Sequence, residues 1–118
     1  MRKFILALTL CLLAGCASRA DKYIASLDTD ADRVRICTVM ADTSTNPNAL
    51  IKGTDEDRAM ALDLCKAAAK QVPNSPIPWS RIGELLMFRG DTKGACKALM
   101  EAKRRGHPMA VDAYCPGE

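Results

Sequence analysis

Residues 75–108, SPIPWSRIGELLMFRGDTKGACKALMEAKRRGHP, decide the fold of this chain. Gly90-Asp91 divides the stretch and Gly106 ends it, as expected for two helices joined by a tight turn. Large and small apolar residues recur every three or four positions on each half. They are Trp79, Ile82, Gly83 and Leu86 on the first half, and Ala95, Leu99 and Ala102 on the second. The stretch therefore predicts an antiparallel helical hairpin with a closely packed seam, in which Gly83 lies against Ala95 or Ala102.

The order of these core residues resembles one tetratricopeptide repeat, which pairs an aromatic and a small residue on its first helix with small and large residues on its second. The preceding helix carries the same pattern at the 34-residue tetratricopeptide period. The matched positions are Ala61 with Ala95, Cys65 with Leu99, and Ala68 with Ala102. The resemblance implies a short array of hairpins that binds other proteins.

Two further helices are predicted before the hairpin, over about 28–41 and 54–71, because polar N-cap residues precede a helical apolar pattern in both. Residues 42–53 carry turn residues and are interpreted as a connector, with a binding loop as the alternative. Residues 109–114 are expected to cap the last apolar face. The prediction is an all-α, disulfide-stapled, tetratricopeptide-like hairpin array of about four helices plus a C-terminal cap.

The amino terminus has the pattern of a targeting segment. Arg2 and Lys3 precede an apolar run over residues 4–13, which is shorter than a membrane span. The run ends in Leu13-Ala14-Gly15-Cys16, which resembles the lipobox of bacterial lipoproteins. The resemblance implies cleavage before Cys16 and acyl chains such as palmitate on that cysteine. The alternative is an ordinary secretory signal, cleaved at a nearby Ala-x-Ala-like site.

This cleavage predicts three segments: a signal peptide (1–15), a lipidated N-terminus and tether (16–27), and a helical domain (28–118). The tether interpretation rests on the small or polar residues ASRADKYIAS that follow Cys16. The residue after the cysteine is Ala17 and not Asp, which in lipoproteins of enteric-type bacteria favours the outer membrane. We therefore expect a lipid-anchored protein that faces the periplasm.

Four cysteines remain for other roles. They are Cys37, Cys65, Cys96 and Cys115. An even number in an oxidising compartment indicates two disulfides, and four cysteines allow three pairings. We favour Cys37 with Cys65 and Cys96 with Cys115, because each pair joins elements that are neighbours in sequence. Zinc binding is disfavoured because no two of them form a Cys-x2-Cys clip.

Catalytic equipment is sparse in this sequence. The one histidine, His107, has no free cysteine or serine-acid grouping to complete a nucleophilic site, and no Gly-rich phosphate loop is present. We therefore predict no enzyme activity, no cofactor, no metal and no small-molecule substrate. The methionines are interpreted as flexible core filler rather than copper ligands. They are Met40, Met60, Met87, Met100 and Met109.

A local basic patch, Lys103, Arg104 and Arg105, ends the last predicted helix, where cations complement the helix dipole. The simple interpretation is a solvated helix end, and the alternative is a contact for acidic peptide or lipid headgroups. Loss of Arg2 and Lys3 with the signal lowers the formal net charge from +3 to +1. A global basic field for nucleic acid is therefore absent.

These features together predict a membrane-anchored periplasmic lipoprotein that binds protein in a groove between paired helices. Small lipoproteins of this build resemble pilotins and other assembly or scaffold factors of envelope machines. The alternative function is a structural or accessory lipoprotein fixed in a larger complex, with no client to deliver. A metal-handling protein ranks third.

Overall fold

Five α-helices make up the part of the chain that the structure, a computed structural model, describes, namely residues 18–108 and residue 115. They are α1 (Arg19–Ala25), α2 (Asp30–Thr45), α3 (Asp55–Gln71), α4 (Ile77–Phe88) and α5 (Thr92–Arg104). No strand occurs in these residues. The predicted all-α class is therefore confirmed, and the tetratricopeptide resemblance stays a prediction.

The first hairpin pairs α2 with α3. Thr29 and Thr54 cap the two helices, because each hydroxyl accepts a hydrogen bond from a backbone N–H three residues later, at 3.1 Å. A disulfide joins Cys37 to Cys65 near the middle of both helices, with 4.7 Å between their Cα atoms. This predicted pairing is confirmed, and it fixes the register of the hairpin.

The connector between α2 and α3 is closed by Arg58. Its Nη1 donates to the carbonyls of Ser44 and Gly53, at 3.2 and 3.0 Å. Gly53 lies so close to the end of α2 that a Cβ atom there would sit 2.3 Å from the Ser44 carbonyl oxygen. Backbone atoms cannot yield as a side chain can, so this position requires glycine.

The second hairpin pairs α4 with α5, and glycine ends both helices. Gly90 and Gly106 have φ angles of 81° and 96°, in the left-handed region that glycine adopts without strain. In both cases the N–H of the following residue donates back to a carbonyl in the last helical turn, at 2.9 and 3.0 Å. These bonds close the last turn of each helix in the manner of a glycine C-cap.

The close contact between α4 and α5 occurs where Leu99 lies over Gly83. A Cβ atom at Gly83 would come within 2.5 Å of Leu99 Cδ2 and 3.5 Å of the Ala95 carbonyl oxygen. The sequence predicted Ala95 or Ala102 as the residue against Gly83; the Leu99 side chain is in fact the nearest, with the Ala95 carbonyl next to it. Of the predicted hairpin core, Trp79 and Leu86 are half-buried and the other five residues are buried.

The core joins the two hairpins because α4 packs against both α2 and α3 as well as α5. Its buried members include Leu62, Ile82 and Leu85 among many alanines, which allow the helices to approach closely. The positions matched at the 34-residue period are buried in both hairpins: Ala61, Cys65 and Ala68, and Ala95, Leu99 and Ala102. Equivalent faces of α3 and α5 therefore point inward.

The prediction of a tether over residues 16–27 is wrong for α1 (Arg19–Ala25). Ser18 caps this helix in a capping box with Asp21, whose carboxylate accepts from the Ser18 N–H at 3.1 Å. Ile24 is 0% exposed and packs against Leu64 and Ala67 of α3. One fully buried aliphatic side chain and a capped first turn hold this mostly polar segment on the domain.

One helix boundary also differs from the prediction. α2 extends to Thr45, beyond the predicted end near Ala41, and hydroxyls of its polar tail bond to carbonyls one turn earlier; that of Thr45 lies 2.8 Å from the Ala41 oxygen. α4 begins at Ile77, whose N–H donates to the Ser75 hydroxyl at 3.4 Å. The predicted cap over residues 109–114 lies outside the described residues.

Candidate functional site

A groove of about 380 Å³ runs along the seam between α4 and α5. Its floor comes from α4, where the spacing of Trp79, Ile82 and Leu86 aligns them on one face. The α5 wall is formed by Gly94, Lys97, Ala98, Met100, Glu101 and Arg104. The groove thus combines an apolar floor with a wall that carries cations and a flexible methionine.

The Trp79 ring is held in position by Arg105. The guanidinium carbon lies 5.0 Å from the indole centroid, a cation–π distance, and Nε donates to the Pro73 carbonyl at 2.6 Å. Nη1 also donates to the Glu101 carboxylate at 2.5 Å. Arg105 is therefore an internal brace between the α3–α4 connection and α5. Of the predicted basic contact, this residue is therefore mostly engaged within the domain, with 23% of its side chain exposed.

Glu101 is the charged centre of this brace. Its carboxylate pairs with Arg105 and also with Arg104, whose Nη1 lies 3.1 Å away. The hydrogen bond from Arg105 holds the pKa of Glu101 below its ordinary value, with smaller contributions from both arginine charges. The carboxylate thus stays ionised and keeps both arginines in place.

Two cations remain on the rim of the groove. Lys97 and Arg104 line it, and both are exposed. Lys103 is exposed but does not line the groove, and Lys93 is also in solvent near the start of α5. Of the three cations predicted as a basic contact, Arg104 alone lines the groove, and Lys97 lies about two turns earlier on the same helix. Glu101 also lines the groove and pairs with Arg104, so the α4–α5 groove presents two cations and one anion beside apolar carbon.

The disulfide between Cys96 and Cys115 is confirmed, with an S–S distance of 2.09 Å. Cys96 precedes Met100 by four residues, so the two side chains lie on the same side of α5, about 40° apart. The bridge therefore attaches Cys115 to the flank of α5 that adjoins the Met100 edge of the groove. The described residues contain no free cysteine.

A second and larger groove, of about 650 Å³, lies where α1 crosses α2 and α3. Most of its lining is apolar, from Ala20, Tyr23, Ile36, Met40, Ala59, Met60 and Leu64, and Arg19, Glu56 and Asp63 supply charge. Tyr23 and Met60 are 48% and 56% exposed. We call this the α1 groove. It exists only because α1 is folded onto the domain.

A third recess, of about 460 Å³, lies between α3 and α4. Arg58 crosses it with its guanidinium carbon 5.4 Å from the Phe88 ring centroid, and it also pairs with Asp55 at 2.6 Å. The nearby connector exposes Leu50 and Ile51 almost completely to solvent. The interpretation of residues 42–53 as a simple connector fits the hydrogen bonds by which Arg58 closes this segment. It does not explain why Leu50 and Ile51 are exposed.

The methionines were predicted to be core filler, but most of those in the described residues are exposed. Met40 packs against the core, whereas Met60, Met87 and Met100 are exposed. Met60 lies in the α1 groove and Met100 in the α4–α5 groove. Exposed methionines occur at adaptable binding surfaces because their side chains are flexible and polarisable. Met109 lies outside the described residues.

Sequence reasoning missed the α1 groove because residues 17–26 are mostly small and polar. The signal that could have found it is Ser18-x-x-Asp21, a capping box, followed by an isolated aliphatic residue at Ile24. The lining residues on α2 and α3 could not be recognised as a groove from the sequence, because the sequence does not show that α1 crosses these helices.

Comparisons with protein-family models, with curated proteins and with solved structures give no match. In residues 18–108, no helix combines the length and the apolar character needed to cross a membrane. Nor does this part of the chain bring three histidine, cysteine or carboxylate side chains together as a metal site would. The grooves and the amino-terminal motif are therefore the basis for a functional proposal.

Proposed function

We propose that this protein is a lipid-anchored envelope lipoprotein that binds a segment of another protein in its α4–α5 groove. The observation that carries the proposal is the groove itself: a half-buried tryptophan on an apolar floor, beside Lys97 and Arg104. Aromatic anchors ringed by polar residues are typical of protein interfaces. The sequence Leu13–Cys16 supports the anchor, and Ala17 supports the outer membrane.

The dimensions of the groove suggest what it accepts. Trp79 and Leu86 are seven residues apart on α4, a rise of about 10 Å. That length matches two turns of a helix or about three residues of extended chain. The two rim cations favour a segment that carries carboxylates next to apolar side chains. We therefore propose an acidic, amphipathic segment as the partner's contact.

An assembly or scaffold role of the pilotin type fits this arrangement, since the lipid supplies location and the groove supplies recognition. A fixed accessory subunit is the second candidate. The nearly complete exposure of Leu50 and Ile51 favours it, because such side chains are expected to be covered in a permanent complex. Constant stoichiometry during purification indicates the accessory subunit, and exchange of the partner indicates the scaffold.

The anchor is tested by Cys16→Ser. The substitution removes the acylated thiol, so the protein is expected to leave the membrane fraction and appear in the soluble periplasmic fraction. Cys11, within the signal segment, provides the matched control as Cys11→Ser, which should leave the attachment unchanged. Membrane attachment of the Cys16→Ser protein would contradict the proposed anchor.

The groove is tested by photocrosslinking in cells. A benzoylphenylalanine at Met100, which lines the groove, should give one discrete adduct with an envelope protein, and the same probe at the exposed Lys66 of α3 should not. Adding Arg104→Glu to the Met100 probe should reduce the adduct, because the partner's carboxylates then meet a negative charge. Equal adducts from both probe positions, or an adduct unaffected by the charge reversal, contradict a specific acidic partner.

A further inference from the structure

The distance from the anchor to the domain is very short. Cys16 precedes Ser18 by two residues, so at most about 7 Å separates their Cα atoms. Ser18 is already fixed as the cap of α1, since its hydroxyl accepts from the Asp21 N–H at 3.1 Å. If lipid is attached at Cys16, as proposed above, the start of α1 must lie within the headgroup layer of the membrane.

The position of α1 on the domain is also fixed. Gln71 Nε2 donates to the Asp21 carbonyl at 2.9 Å, and Lys70 pairs with the Asp21 carboxylate at 3.4 Å. Arg33 closes the other end, where its Nε donates to the Ile24 carbonyl at 3.1 Å. Contacts at both ends of α1, together with the buried Ile24, fix the helix on the domain. If α1 lies at the membrane, the face of the domain around α1 must lie there too.

That face contains the α1 groove. Tyr23 and Met60 are its exposed large side chains, and tyrosine is enriched at membrane interfaces because its ring is apolar and its hydroxyl is polar. Arg19 and Lys22 are exposed on α1 and would attract anionic headgroups. On the α3 side of the groove Met60 lies between Glu56 and Asp63, and the cations Arg19 and Lys22 on α1 balance the charge of these two acids.

We propose that the α1 groove rests on the bilayer and that Tyr23 and Met60 contact membrane lipid there. The domain is therefore seated directly on the membrane instead of being held away from it by a tether. The α4–α5 groove shares no lining residue with the α1 groove, so it stays available to a protein partner. This inference rests on the proposed lipid anchor at Cys16.

The test uses the mature acylated protein in vesicles of phosphatidylethanolamine and phosphatidylglycerol. A benzoylphenylalanine at Met60 should give an adduct that is heavier by one phospholipid, and the same probe at Met100 should give little or none. No lipid adduct from Met60, equal adducts from both positions, or a covalent dimer instead of a lipid adduct would overturn the inference. Circular dichroism of each variant verifies that the domain remains folded.

A second arm separates failure of this inference from failure of the anchor. The intact mass shows whether Cys16 is acylated, which decides the anchor alone. A chain beginning at Cys16 is then coupled through that thiol to a maleimide-bearing lipid headgroup, since the other mature cysteines are paired in disulfides. A lipid adduct from Met60 in this form supports the membrane-facing groove even without native acylation, and its absence overturns it.

Discussion

Replacement of Ile24 by alanine tests whether α1 belongs to the folded domain. Ile24 is fully buried in a small cluster with Leu64 and Ala67, and the half-buried Ala20 and Ile36 pack around it. Removing a buried isoleucine side chain to alanine costs about 2 to 5 kcal/mol, depending on how far the site collapses. The small alanines in this cluster cannot fill the space, but α1 is short and can shift, so we expect about 2 kcal/mol.

The assay must report α1 itself, because a seven-residue helix near the chain start can open without global unfolding. Amide hydrogen exchange at residues 22–26 measures that opening directly. A loss of about 2 kcal/mol predicts exchange about 30-fold faster at these amides, since 1.4 kcal/mol corresponds to tenfold. Amides in the middle of α3 should change much less.

Tyr23→Ala is the matched control, since Tyr23 neighbours Ile24 on the same helix but is 48% exposed. We expect its effect on exchange to be clearly smaller. Equal exchange rates in Ile24→Ala and Tyr23→Ala, or no protection in the unsubstituted protein, would refute the docked helix and restore the tether predicted from composition.

Three further predictions concern the staple, the connector and the groove brace. Cys37→Ala with Cys65→Ala removes a bridge with a sequence separation of 28 residues, which limits the entropy of the unfolded chain. Urea denaturation should show that the free energy of unfolding falls by about 3.5 kcal/mol. A decrease below about 1 kcal/mol would contradict this chain-entropy argument. Gly53→Ala should cost about 2 kcal/mol or more, because the new Cβ meets backbone atoms of Ser44. Gly83→Ala should cost less, since helix propensity offsets part of the clash with the Leu99 side chain. The reverse order of the two variants in thermal denaturation would contradict the packing described. Glu101 has a lowered pKa because Arg105 donates to it, so the ion pair stabilises the fold above the ordinary glutamate pKa, and this stabilisation is lost as the pH falls through the lowered pKa. The melting temperature of the unsubstituted protein should therefore exceed that of Glu101→Gln at neutral pH, and the difference should shrink in acid. A difference that stays constant with pH would argue against the ion pair.

The α4–α5 hairpin was the most predictable part of the fold. Its signals are local: a 3.6-residue apolar pattern, Gly90 in the turn, and Gly106 after the last cations. The disulfide pairing was predictable too, because each bridge joins consecutive elements. The residue that packs closest to Gly83 was not predictable, since the rotation of α5 about its axis decides whether Ala95, Leu99 or Ala102 lies against it.

The features that sequence reasoning misjudged depend on long-range contacts. α1 has the composition of a tether, and its single buried side chain acquires meaning only when α3 supplies the cavity for it. Arg105 appears in the sequence as one of three solvated cations, yet it braces Trp79 and Pro73. The exposed methionines were misassigned because helical spacing alone does not show which face another helix covers.

The intact mass of the protein extracted from membranes tests the central claim, a lipid-anchored helical domain, most directly. We predict a chain that begins at Cys16, carries acyl chains on that residue, and has the other four mature cysteines joined in two disulfides. A chain that begins elsewhere, or one that begins at Cys16 without added acyl mass, would contradict the lipoprotein assignment.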